Sequence, residues 1–399
     1  MTNEEENGVR SKLAKIDPQN ATVEVKVPIN IALIKYWGKR DENLVLPLND
    51  SLSFTIDDLF ARTTVSIESI KDDAQRGDEV TINGKTVDLK KNSRFGKVFD
   101  EARKLLYTSD NNGSNVNSNI VFKVDSRTNF PVAAGLASSA AGFAAIAFAI
   151  KQLLSLSDDD ACRLARIGSG SACRSMCGGL AHWRAGVLVN GFDSTSVSRF
   201  PSSHWSSLRC IIVIFNDREK DTGSTVGMQR TVQTSSLLKR RIQIDVPERV
   251  DRLEFANIPF IYFKIFKLID AYSNRDFPAL GEIIMRDSNQ FHAVCMDTYP
   301  PLQYLTEASW ALIRAIHNFN DKQNEVKAAY SFDAGPNACV FMESNTVNEL
   351  LSFLTNYFQF DCQLPEGFSS LTSPLTNQSH LPVIRNLILS SIGSQPRVI

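Results

Sequence analysis

The chain has 399 residues, a formal net charge of −1 at pH 7 and seven cysteines. This length can bury a large core and predicts two domains, and the balanced charge argues against a nucleic-acid partner. An odd number of cysteines without a CxxC pair favours free thiols in a reducing compartment over a disulfide framework or a zinc site. Residues 1–20 are polar, with no hydrophobic run, and are expected to form a flexible tail rather than a signal or anchor. We therefore expect a cytoplasmic globular protein with no membrane partner.

The first part of the chain predicts strands and one helix. A strand from Thr22 to Val27 is expected to end at Pro28, because proline cannot donate a hydrogen bond to a sheet. Asn83-Gly84 is a strong hairpin signal between two short strands. The other elements predicted here are strands in Leu46–Ile56, Thr63–Ile67, Glu79–Ile82, Thr86–Leu89 and Ile120–Asp125, and a helix over Arg94–Leu106.

A basic and aromatic segment, Asn30–Asp41, follows the first strand. Lys35, Lys39 and Arg40 lie close together in it, and Tyr36 stands between the two lysines. The segment is either a surface turn with aromatic packing or a site where the lysines neutralise an anionic substrate and Tyr36 donates a directional hydrogen bond.

The central feature of the sequence is a run of small residues, Asn129–Ala145, which leads into an apolar helix predicted to end near Leu154. Small side chains let backbone N–H groups approach a ligand, and a helix N-terminus attracts anions, so this stretch predicts a phosphate site. Ser138 and Ser139 would supply hydroxyls to a nucleotide phosphate or its metal. The glycine spacing matches neither a Walker A motif nor a dinucleotide-binding motif. The alternatives are a membrane span over Pro131–Ile150 and a buried core helix without a ligand.

A second candidate anion site is Gly168–Arg174, where a Ser/Gly loop is closed by an arginine. It follows a helix that Ser157 is expected to cap, with acidic residues in the first turn. Hydroxyls, exposed amides and one bidentate donor suit an anion, but the same composition is typical of a flexible turn.

The second half of the chain begins near residues 200–208, where we place a domain boundary, and continues with a buried strand over Leu208–Phe215. A polar loop, Lys220–Met228, then opens a series of helices that reach Phe319. His292, which lies among these helices, is interpreted as structural rather than catalytic.

A strand, a tight turn and a strand are predicted over residues 328–342, followed by a helix over Thr346–Phe358. Asp333 stands at the start of the turn. It is either a turn former, since aspartate before Gly-Pro favours turns, or an acid with a chemical role.

Five of these segments together resemble the diphosphomevalonate decarboxylase family of the GHMP kinase superfamily: Asn30–Asp41, Phe130–Ala145, Gly168–Arg174, Lys220–Gln229 and Phe332–Ala338. The resemblance runs from about Thr22 to the C-terminus. It implies an α+β GHMP-kinase fold, in which an N-terminal domain (21–205) like ribosomal protein S5 domain 2 and a ferredoxin-like C-terminal domain (206–399) enclose a cleft. Val132 departs from the family pattern, which often has threonine there, and Val27 replaces a common alanine.

The resemblance also implies an activity: ATP-dependent conversion of (R)-5-diphosphomevalonate to isopentenyl diphosphate, ADP, phosphate and CO₂, in the mevalonate pathway of isoprenoid and sterol biosynthesis. ATP is then a co-substrate, Mg²⁺ accompanies it, and the protein is expected to form a homodimer. A kinase that stops at a phosphorylated product is one alternative. A non-catalytic binding protein is another, and it would be expected to have lost Asp333 or Lys35.

The family's functional positions can be matched to this chain residue by residue. The implied catalytic residues are Asn30, Lys35, Ser139, Arg174 and Asp333. The implied substrate-binding residues are Tyr36, Trp37, Gly38, Lys39, Arg94, Ser169, Gly170, Ser171, Ala172, Cys173, Arg174 and Thr225. The implied ATP-binding residues are Ala134, Gly135, Leu136, Ala137, Ser138 and Ser139, and no residue is assigned as a metal ligand.

Chemistry makes these assignments intelligible. Asp333 would accept the proton of the C3 hydroxyl group, and Lys35 would keep Asp333 ionised or screen the γ-phosphate. Arg174 would orient the planar carboxylate that is lost as CO₂. The groups suited to the substrate diphosphate are Tyr36, Lys39, Ser169 and Ser171.

Overall fold

The computed structural model describes residues 21–69, 77–109, 120–130, 138–215, 221–250, 268–364 and 380–399. The predicted tail, residues 1–20, lies outside them. The strands are β1 (Ala21–Ile34), β2 (Lys39–Asp41), β3 (Leu46–Pro47), β4 (Ser51–Ser69), β5 (Glu79–Ile82), β6 (Lys85–Thr86), β7 (Ile120–Thr128), β8 (Leu180–Trp183), β9 (Ser196–Phe200), β10 (Leu208–Ile214), β11 (Ala328–Phe332), β12 (Ala338–Glu343), β13 (Gln359–Phe360), β14 (Val383–Ile384), β15 (Asn386–Ser391) and β16 (Arg397–Val398).

The described α-helices are α1 (Ser93–Ser109), α2 (Ser138–Leu154), α3 (Asp158–Gly168), α4 (Ser224–Thr234), α5 (Ser236–Arg240), α6 (Val246–Val250), α7 (Leu268–Ser273), α8 (Phe277–Met296), α9 (Glu307–Gln323) and α10 (Val347–Leu354). Short 3₁₀ turns occur at Gly170–Met176, Ser202–Trp205 and Ser344–Thr346, and one π-helical turn at Arg241–Asp245.

The larger sheet of the described residues has eight strands, in the order β16-β1-β4-β7-β5-β6, with β8 pairing with both β4 and β9. The longest strand pair in this sheet is the antiparallel pair of β1 and β4. The prediction that β1 ends at Pro28 is wrong, since the strand continues to Ile34. The pairing register shifts between Pro28 and Ile29, and an irregularity of this kind accommodates a residue that has no N–H group.

Two other strand predictions are corrected by this sheet. Residues 51–56 of the first predicted strand and residues 63–67 of the second belong to one strand, β4, whereas Leu46–Pro47 forms the separate strand β3. Residues 59–67 alternate between buried and more accessible positions, as a half-buried strand requires. The strand predicted over 86–89 shortens to β6. The Asn83-Gly84 turn is confirmed, with Ile82 paired to Lys85 and positive φ angles of 49° and 77° at the two turn residues.

Helix α2 packs on β1 and β4. It ends at Leu154 as predicted and begins at Ser138. Alanines at positions 140, 141, 144, 145, 147 and 149 are completely buried, and their small size lets the helix lie close to the sheet. Among the residues that the structure describes, no helix has the length and apolar character needed to cross a membrane.

A second sheet, antiparallel and of four strands among the described residues, has the order β11-β12-β10-β15. Helices α8 and α9 contact β11, and α8 also contacts β1. The rings of Phe54 on β4 and Phe341 on β12 lie 5.6 Å apart, within a hydrophobic core that includes strands of both sheets. This packing brings the end of β1 close to the turn after β11.

Candidate active site

A cavity of about 750 Å³ lies where the end of β1, the N-terminus of α2, the 3₁₀ turn and the β11–β12 turn meet. Many of the predicted site residues line it: Asn30, Lys35, Tyr36, Trp37, Lys39, Arg94, Ser139, Ser169, Gly170, Ser171, Arg174, Thr225 and Asp333. Segments more than 300 positions apart in the sequence therefore converge on one space.

Some predicted site residues are placed differently. Ala172 and Cys173 are completely buried behind the lining, and Cys173 packs against Cys162 and Trp183. Gly38 is also not among the lining residues, and its φ of 91° is a conformation that glycine adopts readily. The predicted nucleotide loop, Ala134, Gly135, Leu136 and Ala137, lies outside the described residues, as does the side chain of Ser138.

The shortest charged contact in the cavity joins Lys35 and Asp333. The Nζ atom of Lys35 lies 2.5 Å from Oδ1 of Asp333 and donates a second hydrogen bond to the carbonyl of Ala32, at 2.7 Å. The Lys35 side chain is only 3% exposed and that of Asp333 33%. A buried cation thus holds a carboxylate that is accessible from the cavity.

Asp333 begins the turn that follows β11. The strand before it is anchored where the N–H group of Phe332 donates to the hydroxyl of Ser288, at 2.9 Å. The turn is closed by a bond from the N–H group of Gly335 to the carbonyl of Asp333, at 2.7 Å. Asp333 is therefore both a turn residue and a member of the cavity, so the two interpretations of its sequence context are compatible.

Arg174 also lines this cavity, and its side chain is almost fully buried. Its Nε donates to Oδ1 of Asn30 and its Nη1 to the hydroxyl of Ser51, each at 3.0 Å. Asn30 is held in turn by bonds to the Ser171 carbonyl at 3.0 Å and the Ser175 hydroxyl at 2.7 Å. Burial lowers the pKa of Arg174 from its ordinary value. Since both acceptors are neutral, the site favours an anionic ligand beside this guanidinium.

The segment Gly168–Arg174 is not the flexible turn that its composition permits. Helix α3 ends at Gly168, Ser169 is extended, and the 3₁₀ turn that follows is mostly buried. A Cβ atom on Gly170 would lie 2.9 Å from the hydroxyl oxygen of Tyr36, so only glycine allows this close approach.

Tyr36 carries a buried hydroxyl that has no hydrogen-bond partner in the described structure. Its ring packs against Trp183, with centroids 4.7 Å apart. Burial raises the pKa of Tyr36 well above its ordinary value, so the hydroxyl stays protonated and can donate. Because buried polar atoms normally have partners, this orphaned group in the cavity wall suits a ligand oxygen.

Two further contacts join residues that line the cavity. The hydroxyls of Ser139, at the N-terminus of α2, and Ser169 lie 3.3 Å apart. Lys39 donates to Oε2 of Glu42 at 2.6 Å, with side-chain exposures of 8% and 44%. The lining of the cavity thus also carries hydroxyls and a second, partly neutralised cation.

Two family models match the chain. The diphosphomevalonate decarboxylase-like N-terminal domain matches residues 27–198, and the mevalonate 5-diphosphate decarboxylase C-terminal domain matches residues 210–399. The chain belongs to the diphosphomevalonate decarboxylase family. Its predicted family and its predicted enzyme class are both confirmed.

Individual relatives are similar to this chain in sequence and structure over nearly its whole length. The diphosphomevalonate decarboxylase of Candida albicans is 42% identical over 378 residues, 94% of this chain and 96% of that protein. A crystal structure of mevalonate 5-diphosphate decarboxylase at 2.3 Å resolution superposes with a TM-score of 0.79 and 34% identity, over 95% of this chain and 97% of the other. MDDEF in complex with MVAPP, AMPPCP and magnesium superposes with a TM-score of 0.72 and 30% identity, over 95% and 99% of the two chains.

The predicted fold is confirmed by these likenesses as the mixed α+β fold of GHMP kinases. The predicted division into residues 21–205 and 206–399 stays a prediction. The last described strand, β16, pairs with β1 in the larger sheet, so the end of the chain returns to the first half.

Sequence reasoning missed several residues of this decarboxylase cavity. Glu42 and Lys97 line it, each three positions after a predicted residue, Lys39 and Arg94. For Lys97 the signal was available, because residues three apart on a helix are neighbours. Ser51, which holds Arg174, could not be found, since it lies 123 positions away in the chain.

Proposed function

We propose that this chain converts (R)-5-diphosphomevalonate and ATP to isopentenyl diphosphate, ADP, phosphate and CO₂. The observation that carries the proposal is one cavity in which the Lys35–Asp333 ion pair and the buried Arg174 guanidinium are both present. This reaction requires a carboxylate that can accept a proton, and a fixed cation that holds the carboxylate of the substrate.

The tertiary alcohol of the substrate is a poor leaving group, so it has to be phosphorylated before it can leave. Asp333 is the acceptor for the hydroxyl proton, because its carboxylate reaches the cavity and is held from behind by Lys35. The ammonium group of Lys35 also lies where it can offset charge on a transferred phosphoryl group.

Loss of that phosphate leaves cationic character at C3, and cleavage of the bond to the carboxylate then supplies the electron pair of the alkene. Arg174 orients this carboxylate, since a rigid guanidinium fork already fixed by Asn30 and Ser51 can hold a planar group in one direction. A single orienting cation suits the reaction, because excess positive charge would retain the carboxylate.

The diphosphate of the substrate is assigned to the hydroxyl of Tyr36, the ammonium of Lys39, and the hydroxyls of Ser169 and Ser171. The orphaned hydroxyl of Tyr36 is the best supported of these, because it is buried beside the cavity with a donor to offer. Lys39 would exchange its contact with Glu42 for one with the diphosphate.

ATP is assigned to the N-terminus of α2 and the loop before it, where Ser139 is exposed to the cavity. Among relatives, MDDEF has been crystallised with the ATP analogue AMPPCP and magnesium. The donor set fits Mg²⁺ bound with the nucleotide, since the hydroxyl of Ser139 is a hard oxygen ligand. Mg²⁺ would offset charge on the phosphates, while the roles of Lys35, Asp333 and Arg174 follow from their own contacts.

The protein is further proposed to be a homodimer and to act in the cytoplasm. All seven cysteines lie in the described residues as free thiols, which agrees with a reducing compartment. Analytical ultracentrifugation of the purified chain tests the dimer, which a monomer at micromolar concentration would rule out.

The experiment that tests the function is product identification. Purified protein is incubated with ATP, Mg²⁺ and (R)-5-diphosphomevalonate, and the products are analysed by mass spectrometry, with ATP omitted in the control. Isopentenyl diphosphate that forms only with ATP is expected. Accumulation of a phosphorylated substrate without the alkene would instead identify a kinase.

A further inference from the structure

The main chain of Lys35 is held by side chains rather than by a neighbouring strand. Strand β1 ends at Ile34, one residue earlier. The N–H group of Lys35 donates to Oδ2 of Asp287 at 2.8 Å, and its carbonyl accepts from Nη2 of Arg241 and Nδ2 of Asn49, each at 3.1 Å. The backbone position from which the Lys35 side chain extends is thus fixed by the side chains of three other residues.

Two of these residues form a completely buried ion pair. Both guanidinium nitrogens Nη1 and Nη2 of Arg241 lie 2.9 Å from a carboxylate oxygen of Asp287, and both side chains are 0% exposed. Burial by itself raises the pKa of Asp287, but the charges of Arg241 and Arg249 outweigh it and hold that pKa below its ordinary value. Asp287 is therefore an ionised, immobile acceptor for the N–H group of Lys35.

A network around the pair fixes its geometry. Arg249 donates to Oδ1 of Asp287 at 2.8 Å, and Oε1 of Gln290 accepts from Arg241 at 2.8 Å and from Arg249 at 2.6 Å. The π-helical turn that begins at Arg241 ends at Asp245, whose carboxylate accepts from Gln290 at 2.5 Å. Turns of this kind are frequent at functional sites.

Stability alone is a weak reason for such a pair, because removing two charges from water costs about as much as their attraction returns. Asp287, Arg241 and Asn49 are not among the described residues that line the cavity, so they cannot contact the substrate there. Asp287 and Arg241 each bond to a main-chain group of Lys35: Asp287 accepts from its N–H group, and Arg241 donates to its carbonyl.

We propose that Arg241 and Asp287, together with Asn49, are positioning residues, which hold the main chain of Lys35 so that its ammonium group meets Asp333. This inference rests on the proposed function, in which Lys35 acts on the transferred phosphoryl group. It links the helical segment from α5 to α6 to the catalytic lysine.

The main test is the variant Arg241→Lys. Lysine keeps the charge next to Asp287, but it cannot span both carboxylate oxygens and the Lys35 carbonyl at once. We expect kcat to fall by about 10²-fold, the loss typical of a misplaced catalytic group, with KM for diphosphomevalonate changed little. The matched control is Arg166→Lys, the same substitution at a buried arginine that bonds to the carbonyls of Leu44 and Gly191 and lies outside this network. Its kcat is expected to stay within a few-fold of wild type.

A double-variant cycle separates positioning from a general structural effect. In the Lys35→Met background the substitution Arg241→Lys should lower kcat no further, because the group that it positions is absent. Losses that multiply, or a wild-type kcat in Arg241→Lys, would overturn the proposal. If Arg241→Lys does not fold, Asn49→Ala removes the other donor to the Lys35 carbonyl and should show the same non-additivity at a smaller loss.

A structural readout keeps this proposal distinct from the proposed function. In the crystal structure of Arg241→Lys, or of Asn49→Ala if only that variant folds, Nζ of Lys35 should lie farther than about 4 Å from Asp333, beyond ion-pair distance. An unchanged ion pair would refute the positioning role. Wild-type enzyme that releases no CO₂ would refute the function instead, and the crystal structure would still decide the positioning role.

Discussion

The orientation of the substrate carboxylate by Arg174 gives the sharpest mutational prediction. In Arg174→Lys the positive charge remains, but the rigid fork that now bonds to Asn30 and Ser51 is lost. A hydrogen bond to a charged group contributes about 1.5–3 kcal/mol, so losing one orienting bond in the transition state should lower kcat by about 10- to 160-fold. KM should rise much less, because a lysine still attracts the substrate's charges.

The assay is steady-state kinetics in which ADP formation and CO₂ release are counted separately. A suitable control is Arg166→Lys, the same substitution at another buried arginine, whose Nε and Nη1 donate to the carbonyls of Leu44 and Gly191, each at 3.1 Å. It should lower stability and leave kcat almost unchanged. If Arg174→Lys instead raises KM and keeps kcat, Arg174 is one more diphosphate ligand and the account of carboxylate orientation is wrong.

Four further predictions concern single groups. Asp333→Asn should lower kcat by about 10²–10⁴-fold while ATP binding, measured by calorimetry, is retained; near wild-type turnover would leave Asp333 as a turn former only. Ser139→Ala should raise KM for ATP but not for diphosphomevalonate, and an unchanged ATP affinity would remove Ser139 from the nucleotide site. Lys39→Ala should mainly raise KM for diphosphomevalonate, because the diphosphate is bound alike in the ground and transition states; a fall in kcat alone would contradict this. Burial, with the charge of Lys35, lowers the pKa of His292 from 6.5 to about 3. Between these two values the unfolded chain binds a proton that the folded chain does not, so the free energy of unfolding should fall as pH drops through this range, by up to about 1.4 kcal/mol per pH unit. Urea titrations of His292→Gln should show a weaker pH dependence of the free energy of unfolding, and an unchanged dependence would refute this.

The site residues that sequence reasoning found are those that stand in short, chemically distinctive segments. Lys35, Arg174 and Asp333 each lie in a motif whose residue types fit an anion or a proton transfer, and the structure brings all three to one cavity. Their mutual geometry was not accessible in the same way, because Lys35 and Asp333 are 298 positions apart and only packing of the two sheets brings them together.

The parts that sequence reasoning missed depend on burial. Arg241 and Asp287 are charged residues in helical segments, and such residues usually lie on a solvated face. Their complete burial follows from contacts between α8, the π-helical turn and the end of β1, which no local spacing reveals. Pro28 misled the strand prediction for a different reason, since a shift in pairing register accommodates it within β1.

If one cavity couples phosphorylation by ATP to loss of CO₂, the ratio of ADP to CO₂ measures this coupling directly. Wild-type protein supplied with (R)-5-diphosphomevalonate, ATP and Mg²⁺ should release one CO₂ for each ADP formed, while Lys35→Met and Asp333→Asn lose both products together. ADP formed in large excess over CO₂, with phosphorylated diphosphomevalonate accumulating, would contradict the account and leave a kinase in its place.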